Sequence, residues 1–151
     1  MIIREMNQYE IMELLEKTAK VGRLGCSHEG QPYVVPLNFV YRLGFLYAFT
    51  TFGKKIEWMR DNPKVCVEFD HIYATNDWQS VVITGRYEEL TQAPEHMEAR
   101  NQAFSLLSKR AEWWQPAYVN TVIRDHSRAL EPIYFRILVE EKTGHRAVKS
   151  V

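Results

Sequence analysis

The chain has 151 residues, 46% of them apolar and 25% charged, with 7 glycines and 6 prolines. This is a globular composition sized for one domain, residues 1–151, and it excludes the disordered and fibrous classes. Nineteen lysines and arginines balance nineteen aspartates and glutamates, so the electrostatic footprint of a nucleic-acid or anionic-membrane binder is missing and neither is an expected partner.

Cys26 and Cys66 lie far apart in apolar, strand-like stretches, with no CxxC or Cys/His ligand spacing around either. Both are expected to be buried thiols in a reducing compartment. Met1 to Glu10 carries two glutamates and no continuous apolar run, and no later run approaches the roughly 18 apolar residues that a membrane span needs. The expected location is cytoplasmic.

In chain order, Asn7 followed by Glu10 has the form of a capping box, and Ile11, Leu14 and Leu15 then share a helical face. The predicted helix runs from about Gln8 to Lys17. From Val21 the pattern becomes strands separated by turn residues: Val21 to Ser27, the turn His28-Glu29-Gly30-Gln31, Pro32 to Tyr41, the turn Arg42-Leu43-Gly44, then Phe45 to Thr51. Loops this short join antiparallel neighbours. Phe52, Ile56 and Met59 then stand at helical spacing until Asn62-Pro63 ends a helix of about two turns.

Val65 to Asp70 and Ser80 to Leu90 resume strand character, with Gly85 marking a bulge or a close backbone approach. Pro94 opens a helix to about Lys109, and Ile133 to Glu140 is a last strand of clean alternation. Residues 111–128 give no clear pattern. Six strands with a few short helices predict a mainly β, antiparallel barrel. Tyr33, Val35, Leu37, Phe39 and Tyr41 fill one face of the second strand and Val34, Pro36 and Val40 the other. That is more apolar surface than one barrel interior hides, so a homodimer is expected to cover the rest.

Hydrolytic motifs are missing: no GxSxG, HExxH, P-loop or paired-carboxylate spacing occurs, and the five histidines show no helical pairing. Asp125-His126 has no recognisable nucleophile to serve, and no metal is expected. The segment Thr50-Thr51-Phe52-Gly53-Lys54-Lys55 stands out. Free N–H groups and the partial positive charge of a helix start, a glycine that admits close approach, and two ammonium groups together suit a phosphate monoester. A capped helix with a solvated basic turn is the plainer reading of the same residues. Upstream, Pro36 removes a ladder donor from Val35-Pro36-Leu37-Asn38-Phe39, which frees neighbouring backbone groups for a flat heteroaromatic ring or simply protects an edge strand.

The blocks VGRLGCSHEGQPYVVPLNFVY, LYAFTTFGKKIEWMRDNPKVCVEFD and DWQSVVITGRYEEL resemble successive blocks of the pyridoxamine 5′-phosphate oxidase-like, FMN-binding split-barrel proteins. Within that superfamily they are most similar to the nitroimidazole-resistance branch. The resemblance covers about Gln8 to Leu90 strongly and Pro132 to Arg146 loosely. It implies FMN as cofactor, with the ring against the backbone of Val35, Pro36, Leu37, Asn38 and Phe39. The ribityl and phosphate groups are then implied at Thr50, Thr51, Gly53, Lys54 and Lys55. Trp78, Gln79 and Ser80 are implied to reach the flavin from the other subunit of a homodimer.

The chain also departs from that pattern. Ala48-Phe49 stands where many nitroimidazole-resistance relatives have a histidine, and the C-terminal arginines and histidines of the vitamin B6 oxidases have no counterpart. Trp113 and Trp114 are candidates for the wall of a flat substrate pocket or for dimer packing, and Tyr118 and His126 for a nearby proton source. The expected function is therefore an FMN-dependent oxidoreductase with no assignable catalytic residue. It would take electrons from NAD(P)H or a redox protein and pass them to a small flat acceptor such as a nitroaromatic. The alternative is a non-catalytic flavin- or haem-binding module.

Overall fold

A computed structural model describes residues 1–18, 21–110, 121–123, 126–128 and 132–150. Strand β1 (Ile2–Glu5) precedes helix α1 (Gln8–Glu13), whose last turn widens into a π-helical turn over Leu14–Thr18. Strands β2 (Val21–His28), β3 (Gln31–Arg42) and β4 (Phe45–Thr51) follow. Helix α2 (Lys54–Asp61) then leads to β5 (Lys64–Ala74) and β6 (Asp77–Leu90). A 3-10 turn at Pro94–His96 starts α3 (Met97–Leu107), and β7 (Thr121–Ile123), β8 (His126–Arg128) and the long β9 (Pro132–Val148) complete the chain order.

The sheet order is β1-β9-β4-β3-β2-β5-β6, and β6 pairs in turn with β9. Six strands therefore close into an antiparallel ring, as the turn spacing predicts. Strand β1 is an addition that the sequence pattern does not announce, being four residues long and exposed throughout. It pairs with residues 145–148 of β9, while β4 pairs with residues 132–138 of the same strand. In the gap between them Met6 donates its N–H to the Gly144 carbonyl, and Val139 to the Gly44 carbonyl. Strand β4 keeps its predicted limits, β7 and β8 fall where no pattern was read, and the others begin or end a few residues beyond theirs, most of all β9, which runs on well past the expected end at Glu140.

Alternation sets the inside of the ring. Leu24, Phe39, Leu46, Ala48, Val67, Phe69, Val81, Ile83, Phe135 and Ile137 are buried in one cluster. At its centre Phe39 presents ring edges to Phe69 and Phe135, with centroids 6.0 and 6.2 Å away. Strand β4 is buried on both faces because α3 covers its outer side, where Tyr47, Phe49 and Tyr134 pack on Ala103 and Leu107. Val40 joins that second cluster, so part of the surplus apolar surface is covered within the chain, whereas Val34 stays 63% exposed.

Cys66 corrects an expectation. Strand alternation sends Val65, Val67 and Phe69 inward and Cys66 outward, so Cys26 is buried and Cys66 exposed. Gly85 meets both of its predicted roles. The β6–β9 register shifts between Thr84 and Gly85, and a Cβ on Gly85 would run into the Leu138 carbonyl oxygen. Among the described residues no helix is long and apolar enough to cross a membrane.

Candidate functional site

Strand β3 changes partners part-way along. From Gln31 to Asn38 it pairs with β2, and only from Phe39 to Arg42 does it pair with β4. Past Ala48, strand β4 leaves β3, and Phe49, Thr50 and Thr51 pair with Tyr134, Ile133 and Pro132 of β9. The two strands thus splay into a wedge, and among the described residues the β4-side edge of Val35, Pro36, Leu37 and Asn38 has no strand partner. Pro36 stands in that stretch, opposite Arg23 of β2, and offers no N–H to a further strand. Both readings of the proline, edge protection and free backbone groups, describe the same stretch.

The chain turns from β4 into α2 at Phe52-Gly53. Gly53 is the N-cap and supplies no side-chain cap; its carbonyl accepts from the Ile56 and Glu57 amides at 3.1 Å. The Lys54 and Lys55 amides, at the first two helical positions, have no partner inside the helix. A Cβ on Gly53 would meet nothing within 4 Å, so the approach to these amides is open. Thr50 is 2% exposed, the one polar side chain fully buried among the described residues.

The rest of α2 is fixed firmly. Ile56 and Met59 are completely buried. Arg60 forms a two-bond pair with Glu89 at 2.8 and 3.0 Å, and the Tyr87 hydroxyl donates to the same carboxylate at 2.8 Å. The Arg60 hydrogen bond holds the Glu89 carboxyl below its ordinary range, while burial, then the Glu89 bond, pushes the Tyr87 phenol far up. Asn62 donates to the Ser27 carbonyl and hydroxyl at 3.2 Å. The helix is pinned at its C-terminal end, and its N-terminal end is left uncommitted.

The two lysines differ. Lys55 is half-buried beside Cys26 and, among the described residues, makes no ion pair or hydrogen bond. Burial pulls its pKa below the ordinary lysine value. Lys54 is exposed and places its ammonium 4.8 Å from the Tyr33 ring centroid and 4.6 Å from that of Trp58. Those rings meet edge to face, 5.8 Å apart, and His28 stacks on Trp58 at 5.6 Å while its Nε2 lies 2.8 Å from Asp61. Sequence reasoning missed this aromatic group. Its signal was Trp58 four residues after Lys54, one turn along the same helix face.

Thr50 and Thr51 end β4 and lead through Gly53 into the start of α2, where Lys54 and Lys55 stand. Val35–Asn38 precede Phe39, where the β3–β4 pairing ends, and Lys54 reaches back to Tyr33 of the same strand. Phe39 differs, since its side chain lies in the core at 1% exposure. Trp78, Gln79 and Ser80 stand elsewhere, on β6 opposite Ile72, His71 and Asp70 of β5 and Ala147, Arg146 and His145 of β9. Strands β2 and β5 separate them from β3. Trp113, Trp114 and Tyr118 lie outside the described residues, as does the side chain of His126.

Comparison with known proteins agrees with this architecture. A protein described as FAD-binding, from Mesorhizobium loti, is 41% identical, superposes with a TM-score of 0.79, and the match covers 98% of this chain and 100% of that one. A candidate 5-nitroimidazole antibiotic resistance protein from Bacteroides thetaiotaomicron shares the fold at 21% identity, with a TM-score of 0.67 and coverage of 99% and 93%. An uncharacterised protein of Rhizobium meliloti is 36% identical over 147 residues, 97% of each chain. The family described as pyridoxamine 5′-phosphate oxidase matches residues 7–146, from the cap of α1 nearly to the end of β9. A closed antiparallel ring, a near full-length relative of known fold and a family match across almost the whole chain agree, and the chain belongs to the pyridoxamine 5′-phosphate oxidase family.

Proposed function

We propose that this protein binds a flavin in the wedge between β3 and β4 and acts as a flavin-dependent oxidoreductase. The observation that carries the reading is Lys55, a half-buried ammonium with no ion pair among the described residues, one position from an uncapped helix start. Drawing an ammonium partly out of water without an anion has a cost, and a phosphate supplies that anion where the Lys54 and Lys55 amides already favour one. The open backbone edge of Val35 to Asn38 then offers amide and carbonyl groups to the polar rim of a flavin ring. Thr50 and Thr51 line the path between ring and phosphate.

FMN contains all the groups these residues address. The Mesorhizobium loti relative is described as FAD-binding, and FAD carries the same ring and first phosphate. The bound flavin supplies the hydride or electron chemistry, so the chain need only hold it, shield it and admit an acceptor. In a homodimer Trp78, Gln79 and Ser80 of the second copy would close over the ring, and a flat aromatic acceptor, nitroaromatics among them, would stack beside it. NAD(P)H or a redox protein would supply electrons.

The test is reconstitution followed by turnover. Apoprotein titrated with FMN or FAD is expected to develop a bound flavin spectrum, and Lys55→Met to weaken binding at least tenfold, the cost of losing one charge-assisted phosphate contact, about 1.5–3 kcal/mol. Undiminished affinity in Lys55→Met would move the phosphate elsewhere. A bound flavin that no donor reduces would turn the reading to a carrier or sensor module.

A further inference from the structure

The aromatic group beside the phosphate cradle has no part in the flavin site proposed so far. Tyr33 and Trp58 are both half-buried, come from different elements, and are joined by the Lys54 ammonium, which has no carboxylate partner among the described residues. Cation–π contact at such a site is worth little against full hydration, so Lys54 is free to leave the rings when an anion arrives.

We propose that Tyr33 and Trp58 seat the adenine ring of a dinucleotide flavin, with Lys54 turning from the rings to the second phosphate. The proposal rests on the flavin reading and deepens it. Tyr33 stands on the same open edge of β3, two residues before Val35, and Trp58 one turn beyond Lys54, a rise of roughly 6 Å along α2. A flavin laid on Val35 to Asn38 with its phosphate at Lys55 directs whatever is esterified to that phosphate along α2, toward these rings. One ammonium then faces each phosphate, Lys55 the first and Lys54 the second. The vacated ring faces offer the flat, sequence-tolerant stacking surface that a purine takes. His28 stacks on Trp58 and is itself held by Asp61, 2.8 Å from its Nε2.

Calorimetric titration of the full-length apoprotein with FMN, FAD and ADP decides it. FAD is expected to bind ten- to a hundredfold more tightly than FMN, the span that one base stacked on an aromatic ring provides, and ADP to compete with FAD. Trp58→Leu is expected to bring the FAD-to-FMN affinity ratio close to one. Because Trp58 and Tyr33 both pack on the core, Lys54→Met, at an exposed position, gives a second reading of the same ratio in a folded protein. Equal wild-type affinities for FAD and FMN, or variants that weaken both flavins by the same factor, would overturn this proposal alone. Failure to bind either flavin would overturn it together with the function proposed above.

Discussion

Gly85 shows how much one missing methyl group decides. Its position leaves no room for a Cβ, which would meet the Leu138 carbonyl oxygen and come within 2.9 Å of the Ile137 side chain. The obstacle is backbone of a strand held on both sides, so it cannot swing away. Gly85→Ala is expected to destabilise the protein by about 2–4 kcal/mol, seen as a lower urea midpoint, and an unchanged midpoint would refute the close approach. This residue was legible in the sequence because a glycine inside an otherwise apolar strand forfeits packing, which a bulge or a close backbone neighbour requires. Cys66 was legible by the same alternation, since VCVEFD sets Val65, Val67 and Phe69 on one face and Cys66, Glu68 and Asp70 on the other; the expectation of burial followed the general habit of free cysteines instead of that phase. Lys54 and Lys55 were legible as a basic pair at a helix start, but not as one half-buried and one parked on rings. That division depends on Cys26, Tyr33 and Trp58, which arrive from β2, β3 and α2.

Among the elements, α1 was readable at its start, which Asn7 and Glu10 write as a capping box. The Asn7 side chain accepts from the Glu10 amide at 2.9 Å, the Glu10 carboxylate accepts from the Asn7 amide at 3.1 Å, and Arg4 grips the same carboxylate with two bonds at 2.9 and 2.7 Å. The Arg4 bond, then the Asn7 amide, lower the Glu10 carboxyl from 4.5 to about 2. A depressed folded value stabilises in full above pH 4.5 and loses that effect as the pH falls toward 2. Glu10→Gln is therefore expected to flatten the fall in thermal midpoint across this window relative to wild type, and parallel curves would contradict the linkage. Asn7→Ala should cost about 1 kcal/mol in the same scans. Strand β1 was unreadable for the converse reason: four exposed residues carry no alternation, and what makes them a strand is the far end of β9.

For the whole molecule, turn spacing alone pointed to six antiparallel strands, because hairpin loops leave little choice of neighbour. What it left open was how β9 is shared, a matter of pairing between residues more than a hundred positions apart. The surplus apolar surface also divided in two: α3 covers β4, and Val34 on the outer face of β3 remains exposed. Trp78 to Ser80 stand two strands away from the wedge, and the flavin site proposed above takes them from a second copy. Sedimentation is expected to give twice the chain mass, and Val34→Glu to shift the protein toward monomer with loss of bound flavin. A monomeric wild type that still retains flavin would refute the shared site.

The sharing of β9 also governs when the fold can form. It pairs with β4, β6 and β1 at once, so during synthesis β2 to β6 can assemble only as an open sheet whose β4 and β6 edges await a partner. Contacts this distant in sequence slow folding, and unpaired edges invite association between chains. A nascent chain that stalls before residue 132 is thus a sheet with two sticky margins, and the β9 segment added as a separate peptide is expected to rescue it by inserting between them.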